Sequence, residues 1–313
     1  MSNMTDSPLT LTYISGSSDP EQQLDLYLPS SQPATSLVVF IHGGAWRTGS
    51  RKDHIDLAQY LSAKGKAVAV IDYRLSVKDE TTGSTKYVHP VHAQDVNAAL
   101  SFLRSRPDVP HKDWVVVGHS IGAWLTLAAI IGGEARTANS EYPKPMPLPD
   151  SSAREAIKTC VLVDGIYSVS SLLKEYPDYE GFVAQAFLPQ PGPANYDVVS
   201  CETWPLALEG KTLHVWHSRD DELLSFKQSI DALLHLDQQL STSRSGSDAI
   251  VTIPDDGLAS TTLVDGDKKS IASIYPNVKI RNASRLFADL TSLRGAHDGL
   301  LHTETFWDLI LAL

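Results

Sequence analysis

The pentapeptide Gly118-His119-Ser120-Ile121-Gly122 constrains this chain more than any other stretch. Before it, Trp114-Val115-Val116-Val117 is apolar and β-branched, as a buried parallel strand is. After it, residues 123–130 read as a buried helix. A strand that turns sharply into a helix around G-x-S-x-G is the setting of a nucleophile elbow, whose glycines permit the tight turn. The turn would hold Ser120 Oγ clear of the sheet at a helix N-terminus, so Ser120 is the candidate nucleophile. A glycine-rich turn without chemistry can carry the same five residues by chance; the flanking strand and helix carry the reading.

Strands and helices alternate through most of the remaining chain. Residues 9–13 and 24–28 alternate apolar and polar side chains, as an antiparallel hairpin at a sheet edge does. Residues 36–41 and 67–71 are apolar strands, separated by a helix with Ile55, Leu57, Tyr60 and Leu61 as its apolar positions. Residues 89–103 suit an amphipathic helix opened by Pro90. Further strands are expected over 159–163 and 212–216, a helical stretch through Phe187, and helices over 226–240 and from Glu304. This order implies a single α/β domain over 1–313, with a mostly parallel central sheet and helices on both faces. Two stretches break the beat. Residues 132–153, rich in Pro, Ser and charge, are expected to form a short cap-like excursion over the active-site edge. Residues 241–281, crowded with Ser, Thr, Asp and Gly, are expected to be an insertion, ordered in part at most.

A formal charge of −11 argues against nucleic acid as a partner, because phosphate binding needs a basic footprint. The only cysteines, Cys160 and Cys201, lie in or near apolar segments and suit buried thiols in a reducing compartment. The first residues lack the basic and apolar regions of a secretory signal, and the longest apolar run is too short to span a bilayer. The expectation is a cytoplasmic protein that acts on a small molecule, with no membrane partner and with a homodimer left open.

A serine hydroxyl needs a base to attack near neutral pH, and the base needs an acid to orient it. In the α/β-hydrolase arrangement the acid and then the histidine follow the serine, each on a loop after a later strand. Of the downstream histidines, His235 falls inside a helix and His302 at the first turn of the last one. His297 stands in the loop Gly295-Ala296-His297-Asp298-Gly299 and is the candidate base. Asp220 and Asp221 both follow the strand ending near Trp216, and spacing does not separate them. Asp164, after the preceding strand, is a third candidate, with a turn before a helix as its simpler role. The oxyanion needs backbone N–H donors. Ile121, next to the nucleophile, should supply one, and Gly44 and Ala45 of His42-Gly43-Gly44-Ala45-Trp46 the others, where small residues permit close approach. His42 reads as a brace for that loop. A metal centre is the competing chemistry: His89, His92 and Asp95 share one helix, and His214 and His217 add donors. No H-E-x-x-H or other compact ligand set is present, so neither metal nor other cofactor is expected.

Taken together, these stretches resemble the kynurenine formamidases (arylformamidases) of the α/β-hydrolase superfamily, most of all the fungal ones. Ile41-His42-Gly43-Gly44-Ala45-Trp46 matches that family's H-G-G-x-W motif, and Tyr73-Arg74-Leu75-Ser76 and the elbow extended to Ala123 join it. More specific is LVDGIYSVSSLLKEYPDYEGFVAQAF from Leu162 to Phe187, with HSRDDELL from His217 to Leu224 and His297-Asp298. The resemblance runs from about Leu37 to the C-terminus and leaves out 241–281. It implies that the acid is the Asp directly before Glu-Leu-Leu, which selects Asp221 over Asp220. It also implies hydrolysis of N-formyl-L-kynurenine to L-kynurenine and formate, a step of tryptophan catabolism on the kynurenine pathway. Ser120, Asp221 and His297 would carry it through a formyl-serine, without the zinc of the bacterial formamidases, whose motifs are absent. Trp46, Tyr73 and Tyr167 are candidate pocket walls, with core packing the alternative for each. The rival readings are a broad-specificity carboxylesterase with the same triad and a non-catalytic scaffold, which would have no need of one.

Overall fold

The computed structural model describes residues 7–30, 33–131, 148–187, 193–240 and 285–313, and four short strands between 249 and 280. The chain opens with β1 (Leu9–Thr12) and β2 (Gln23–Tyr27), an antiparallel pair with Leu9 opposite Leu26. Then come β3 (Leu37–Ile41), α1 (Ile55–Ala63), β4 (Ala67–Ile71) and α2 (Val91–Ser105). They lead to β5 (Trp114–His119) and α3 (Ile121–Ala129), the strand and helix of the elbow. Next follow α4 (Ser151–Ala156), β6 (Ile157–Val163), α5 (Val169–Glu175), α6 (Glu180–Phe187), β7 (Thr212–Trp216) and α7 (Phe226–Leu240). Four three-residue strands succeed them: β8 (Ala249–Val251), β9 (Ser260–Thr262), β10 (Lys268–Ser270) and β11 (Val278–Ile280). The chain ends with β12 (Leu286–Asp289) and α8 (Glu304–Leu311).

Eight strands make one sheet in the order β1-β2-β4-β3-β5-β6-β7-β12. The β1–β2 and β2–β4 pairs are antiparallel and the rest parallel, so the mostly parallel α/β sheet read from the sequence is the observed one. Every residue of β3, β4 and β5 is buried, because helices cover both faces and leave no side for polar residues. Leu37, Val39 and Ile41 share one core with residues of α2, α3 and α7. Val38 and Phe40 share the other with α1 and α8. The successive strands β4 and β5 flank β3 on opposite sides, so the loops after β3 and β5 open side by side at the carboxyl edge. Such a switch point is where open α/β sheets bind ligands.

The structure differs from the sequence reading in two places. The helical stretch through Phe187 is broken: α5 ends at Glu175, and Pro177–Tyr179 forms a single 3-10 turn before α6 begins. Proline has no N–H to continue a helix and forces the preceding residue out of it, and Tyr176 accordingly lies at φ −127° and ψ 75°. Within 241–281, β8 pairs with β11 and β9 with β10, both antiparallel, and Val278 is buried in the first core. Of the excursion expected at 132–153, residues 132–147 lie outside the described residues, and the remainder leads into α4. Among the described residues, no helix is long and apolar enough to cross a membrane.

Candidate active site

Ser120 sits between β5 and α3 with φ 54° and ψ −119°. A non-glycine residue held there is strained by roughly 1–3 kcal/mol and needs surroundings that over-determine it. Its N–H donates to Val163 O at 2.8 Å, and its carbonyl accepts from Ala123 N at 3.1 Å and Ile166 N at 3.3 Å. Two glycines let neighbouring backbone come close enough. A Cβ on Gly122 would lie 2.1 Å from Ile41 O, so only glycine lets α3 seat on β3. A Cβ on Gly43 would lie 2.9 Å from Ser120 Cβ, so the loop after β3 passes directly beside the serine.

The loops after β7 and β12 hold the candidate acid and the candidate base. His297 is buried, and its Nδ1–H donates to Asp221 Oδ2 at 2.8 Å, which leaves Nε2 as the free basic nitrogen. The other Asp221 oxygen accepts from Leu223 N (2.8 Å) and Leu224 N (2.9 Å), which fixes the carboxylate plane. The neighbouring Asp220 does something else: its oxygens hold Arg294 Nη1 (3.2 Å) and Gly295 N (3.0 Å), tying the acid loop to the histidine loop. Glu222 accepts the His297 N–H at 2.9 Å, and Ser218 Oγ donates to Gly295 O at 2.5 Å. His119 Nε2–H donates to His297 O at 3.0 Å, so a residue of the elbow itself braces the base. His235, on α7, meets Gln239, and the exposed His302 stacks near His54 at 6.5 Å; neither reaches the acid loop.

Asp164, weighed as a third candidate acid, and His217, weighed as a metal donor, stand behind the Asp221–His297 pair. Asp164 is fully buried, is held at φ 44°, and accepts Ser218 N–H at 2.7 Å through Oδ1, while Oδ2 has no hydrogen-bond partner. His217 Nε2–H donates to Leu224 O (3.2 Å), Nδ1 accepts from Ser229 Oγ (2.8 Å), and the ring lies 3.5 Å from Asp221 Oδ2. Burial, then the charge of Asp221, pushes the Asp164 carboxyl well above the usual range despite His297 nearby. Asp221 runs the other way: burial raises it, but the His297 hydrogen bond and the charges of His217 and His297 bring it below its ordinary value. Burial lowers His297, yet the Asp221 hydrogen bond and charge outweigh it, and the net shift is upward. Asp164 had looked like a turn residue because it directly follows a strand; the clue was that it precedes Gly165 at the same sheet edge as Asp221.

On the other flank, Gly44, Ala45 and Trp46 are successive residues at φ 99°, 50° and 62°. Among the described residues, the N–H groups of Gly44, Ala45 and Ile121 have no acceptor. The segment after β4 carries this loop. Tyr73 OH donates to His42 O (3.0 Å) and Gly43 O (3.1 Å), and Ser76 N donates to Trp46 O at 2.7 Å. His42 stacks on Tyr73 at 4.5 Å and donates its Nδ1–H to Gly43 O at 2.8 Å. The candidate pocket walls therefore stand elsewhere than expected. Trp46 and Tyr73 are 0% exposed and Tyr167 is 2%, so none offers a face to an incoming molecule. Trp46 packs on Trp124, Phe182 and Phe187, and the Tyr167 ring folds back over Gly165, where a Cβ would lie 2.3 Å from its Cζ. These rings form the framework behind the site.

The histidines weighed for a metal have other partners. Asp95 grips Arg74 at 2.7 Å and 2.8 Å, His92 Nε2 meets Ser76 Oγ at 2.8 Å, and His89 packs on Trp124 and Phe187. His214 stacks on Phe287. Among the described residues, the donor groups near enough to converge are His119–Asp164–His297 and Asp164–His217–Asp221, both made from the cluster just described.

Residues 24–235 match the family model described as BD-FAE. A kynurenine formamidase of Eremothecium gossypii is 32% identical over 199 residues, covering 61% of this chain and 75% of that protein. One of Meyerozyma guilliermondii is 31% identical over 216 residues, covering 68% and 75%. A truncated carbohydrate esterase from gut microbiota superposes with a TM-score of 0.64 at 15% identity, covering 98% of this chain and 95% of that one. Fold and elbow define a serine hydrolase of the α/β-hydrolase class. The chain belongs to the BD-FAE family of that class and is a homologue of the fungal kynurenine formamidases.

Proposed function

We propose that this chain hydrolyses N-formyl-L-kynurenine to L-kynurenine and formate. The observation that carries the reading is the 2.8 Å Asp221–His297 pair beside the elbow, in a chain whose relatives bear the formamidase name. Ser120 Oγ attacks the formyl carbon and passes its proton to His297 Nε2, while Asp221 holds the imidazolium at Nδ1. The oxyanion takes the open N–H groups of Gly44, Ala45 and Ile121. As the C–N bond breaks, His297 returns the proton to the aniline nitrogen and L-kynurenine leaves. Water, deprotonated by the same histidine, then attacks the formyl-serine and releases formate. The formyl carbonyl bears only hydrogen, so a narrow acyl site against Gly44 and Ala45 suffices for it.

Comparing kcat/KM for N-formylkynurenine and its N-acetyl analogue tests this reading. The extra methyl overfills a narrow acyl site at ~1–3 kcal/mol, so the acetyl compound should be about one to two decades slower. Equal rates, or a preference for longer acyl chains on simple esters, would point instead to a broad carboxylesterase. Ser120→Ala should remove nearly all turnover, roughly 10⁶-fold by analogy with a serine protease, without lowering the unfolding midpoint.

A further inference from the structure

Between the loop after β3 and the loop after β7 lies a feature that the triad does not use. The turn between α5 and α6 and the first turn of α6 carry Tyr176, Tyr179 and Phe182, all half-buried. Tyr176 and Tyr179 stack at 5.0 Å with 15° between planes, and Tyr179 meets Phe182 at 5.1 Å. One end of this strip is fastened to the acid loop, where Tyr179 OH donates to Leu223 O at 2.9 Å, two residues past Asp221. The other end lies against the oxyanion loop: Phe182 is 6.3 Å from the Trp46 ring, and Arg47 Cζ stands 5.3 Å from the Phe182 centroid. The strip thus links the two loops that flank Ser120.

Arg47 differs from the other arginine of its loop. Arg51 is buried between Asp25 and Asp72, whereas Arg47 is exposed and has no carboxylate partner among the described residues. It lies two residues beyond Ala45. A guanidinium on an aromatic face keeps its edge donors free, and those donors suit a carboxylate held in two-pronged fashion.

We propose that Tyr179, Phe182 and Arg47 form the leaving-group subsite, which takes an aromatic ring on the Tyr179–Phe182 faces and a carboxylate substituent on the Arg47 guanidinium. The identity of the substrate rests on the formamidase reading; the chemistry of the subsite, an aryl group with an anionic arm, does not. The subsite is what distinguishes a zwitterionic aryl leaving group from a plain anilide.

The full chain decides it through inhibition of phenyl acetate hydrolysis by L-kynurenine and by 2-aminoacetophenone, which keeps the ring and ketone but lacks the amino-acid arm. The wild type should bind L-kynurenine about tenfold more tightly. Arg47→Gln should bring the two inhibition constants together, Arg47→Lys should restore part of the gap, and Phe182→Ala should weaken both ligands. Thermal unfolding of each variant establishes that it is folded. A ratio unchanged in Arg47→Gln, or no preference in the wild type, overturns the subsite. Failure of the formamidase reading shows separately, as N-formylkynurenine turnover no faster than that of its acetyl analogue.

Discussion

The loop after β3 is tied down by a guanidinium, whose charge does not change. Arg51 pairs with Asp25 at 3.1 Å and with Asp72, and gives a further hydrogen bond to Gln23 at 2.9 Å; all three charged groups are buried. The loops after β6, β7 and β12 meet instead through Asp164, His217, Asp221 and His297, every one of which can gain or lose a proton. A guanidinium stays charged at any pH the protein survives, so it suits a loop whose amides must simply hold still. The proposed base, which must accept and return a proton, cannot be held that way. There the protein sets two carboxylates close together and lets their surroundings separate them, one pulled below its ordinary range and one pushed above it.

The largest effect should come from the titratable side. Asp221→Asn leaves His297 with the wrong partner at Nδ1 and should cost ~10⁴ in kcat, as the corresponding change does in a serine protease. Asp220→Asn loses only contacts to Arg294 and Gly295 and should stay within about threefold. The pH profile sharpens the test. In the proposed mechanism activity needs neutral His297, whose pKa is raised, so kcat/KM should climb with pH through a value above 6.5. Without Asp221 the hydrogen bond and charge that raise it are gone, and that limb should move to lower pH. Equal losses in the two variants would mean that the loop, not the carboxylate, matters.

The fixed-charge side should show its effect in stability. Arg51→Met strands two buried carboxylates, which typically costs 3–5 kcal/mol. Urea unfolding measures that loss, and activity per folded molecule should fall far less than in Asp221→Asn. A mild stability change would show that Asp25 and Asp72 find other partners.

Acid should weaken both sides at once. His42, His54, His89, His92, His119 and His217 are buried, and burial lowers the pKa of each, to about 3 for His54 and His92. Unfolding returns them to ordinary values, so the unfolded chain binds more protons below pH ~6.5 and stability falls as pH falls. Between pH 6.5 and 5.5, His54 and His92 alone should remove roughly 2 kcal/mol. His297 has the opposite sign: its raised pKa adds stability below about 6.5, and that is lost as pH rises through the folded value. A urea midpoint that is flat from pH 7 to 5.5 would contradict the neutral imidazoles.

The difference between the two sides also explains what could be read from the sequence. Apolar strands such as Val38–Ile41 and Val115–Val117 announce themselves because both faces are covered, and the elbow follows from its flanks. Asp221 was separable from Asp220 only by resemblance, since adjacent carboxylates on a loop have the same composition and spacing. What decides between them is which one turns inward. The role of Asp164 stayed open for the same reason, and so did the choice between pocket wall and framework for Trp46, Tyr73 and Tyr167: an aromatic residue near a motif can face a ligand or the core. The break at Pro177 was passed over by the sequence reading, which ran one helix through to Phe187 although proline alone signals a stop; the break places the Tyr176–Tyr179–Phe182 strip between the two loops.

The smallest effect is expected from a segment that belongs to neither side. Residues 241–281 interrupt the strand–helix order, yet Val278 is buried in the first core and β11 pairs with β8 in a register that puts Val278 opposite Val251. That register has the geometry of a hairpin closed by two residues. An Asn-Gly pair in place of 252–277 would supply the turn type such a connection favours. The ladder β9–β10 is lost in this variant, but among the described residues its two strands pair with no other strand, and β9 lies against α7. The shortened chain should therefore unfold cooperatively within about 1 kcal/mol of the parent, since shortening a loop also lowers its closure cost. Its kcat/KM should be unchanged within about twofold, while Val278→Ala in the full chain removes buried methyl groups and should cost ~1–3 kcal/mol. If the Asn-Gly variant loses cooperative unfolding while Val278→Ala is mild, the segment stabilises the domain through more than its one core residue. If turnover falls while stability holds, it reaches the catalytic edge, and the division of the site into two sides would need a third.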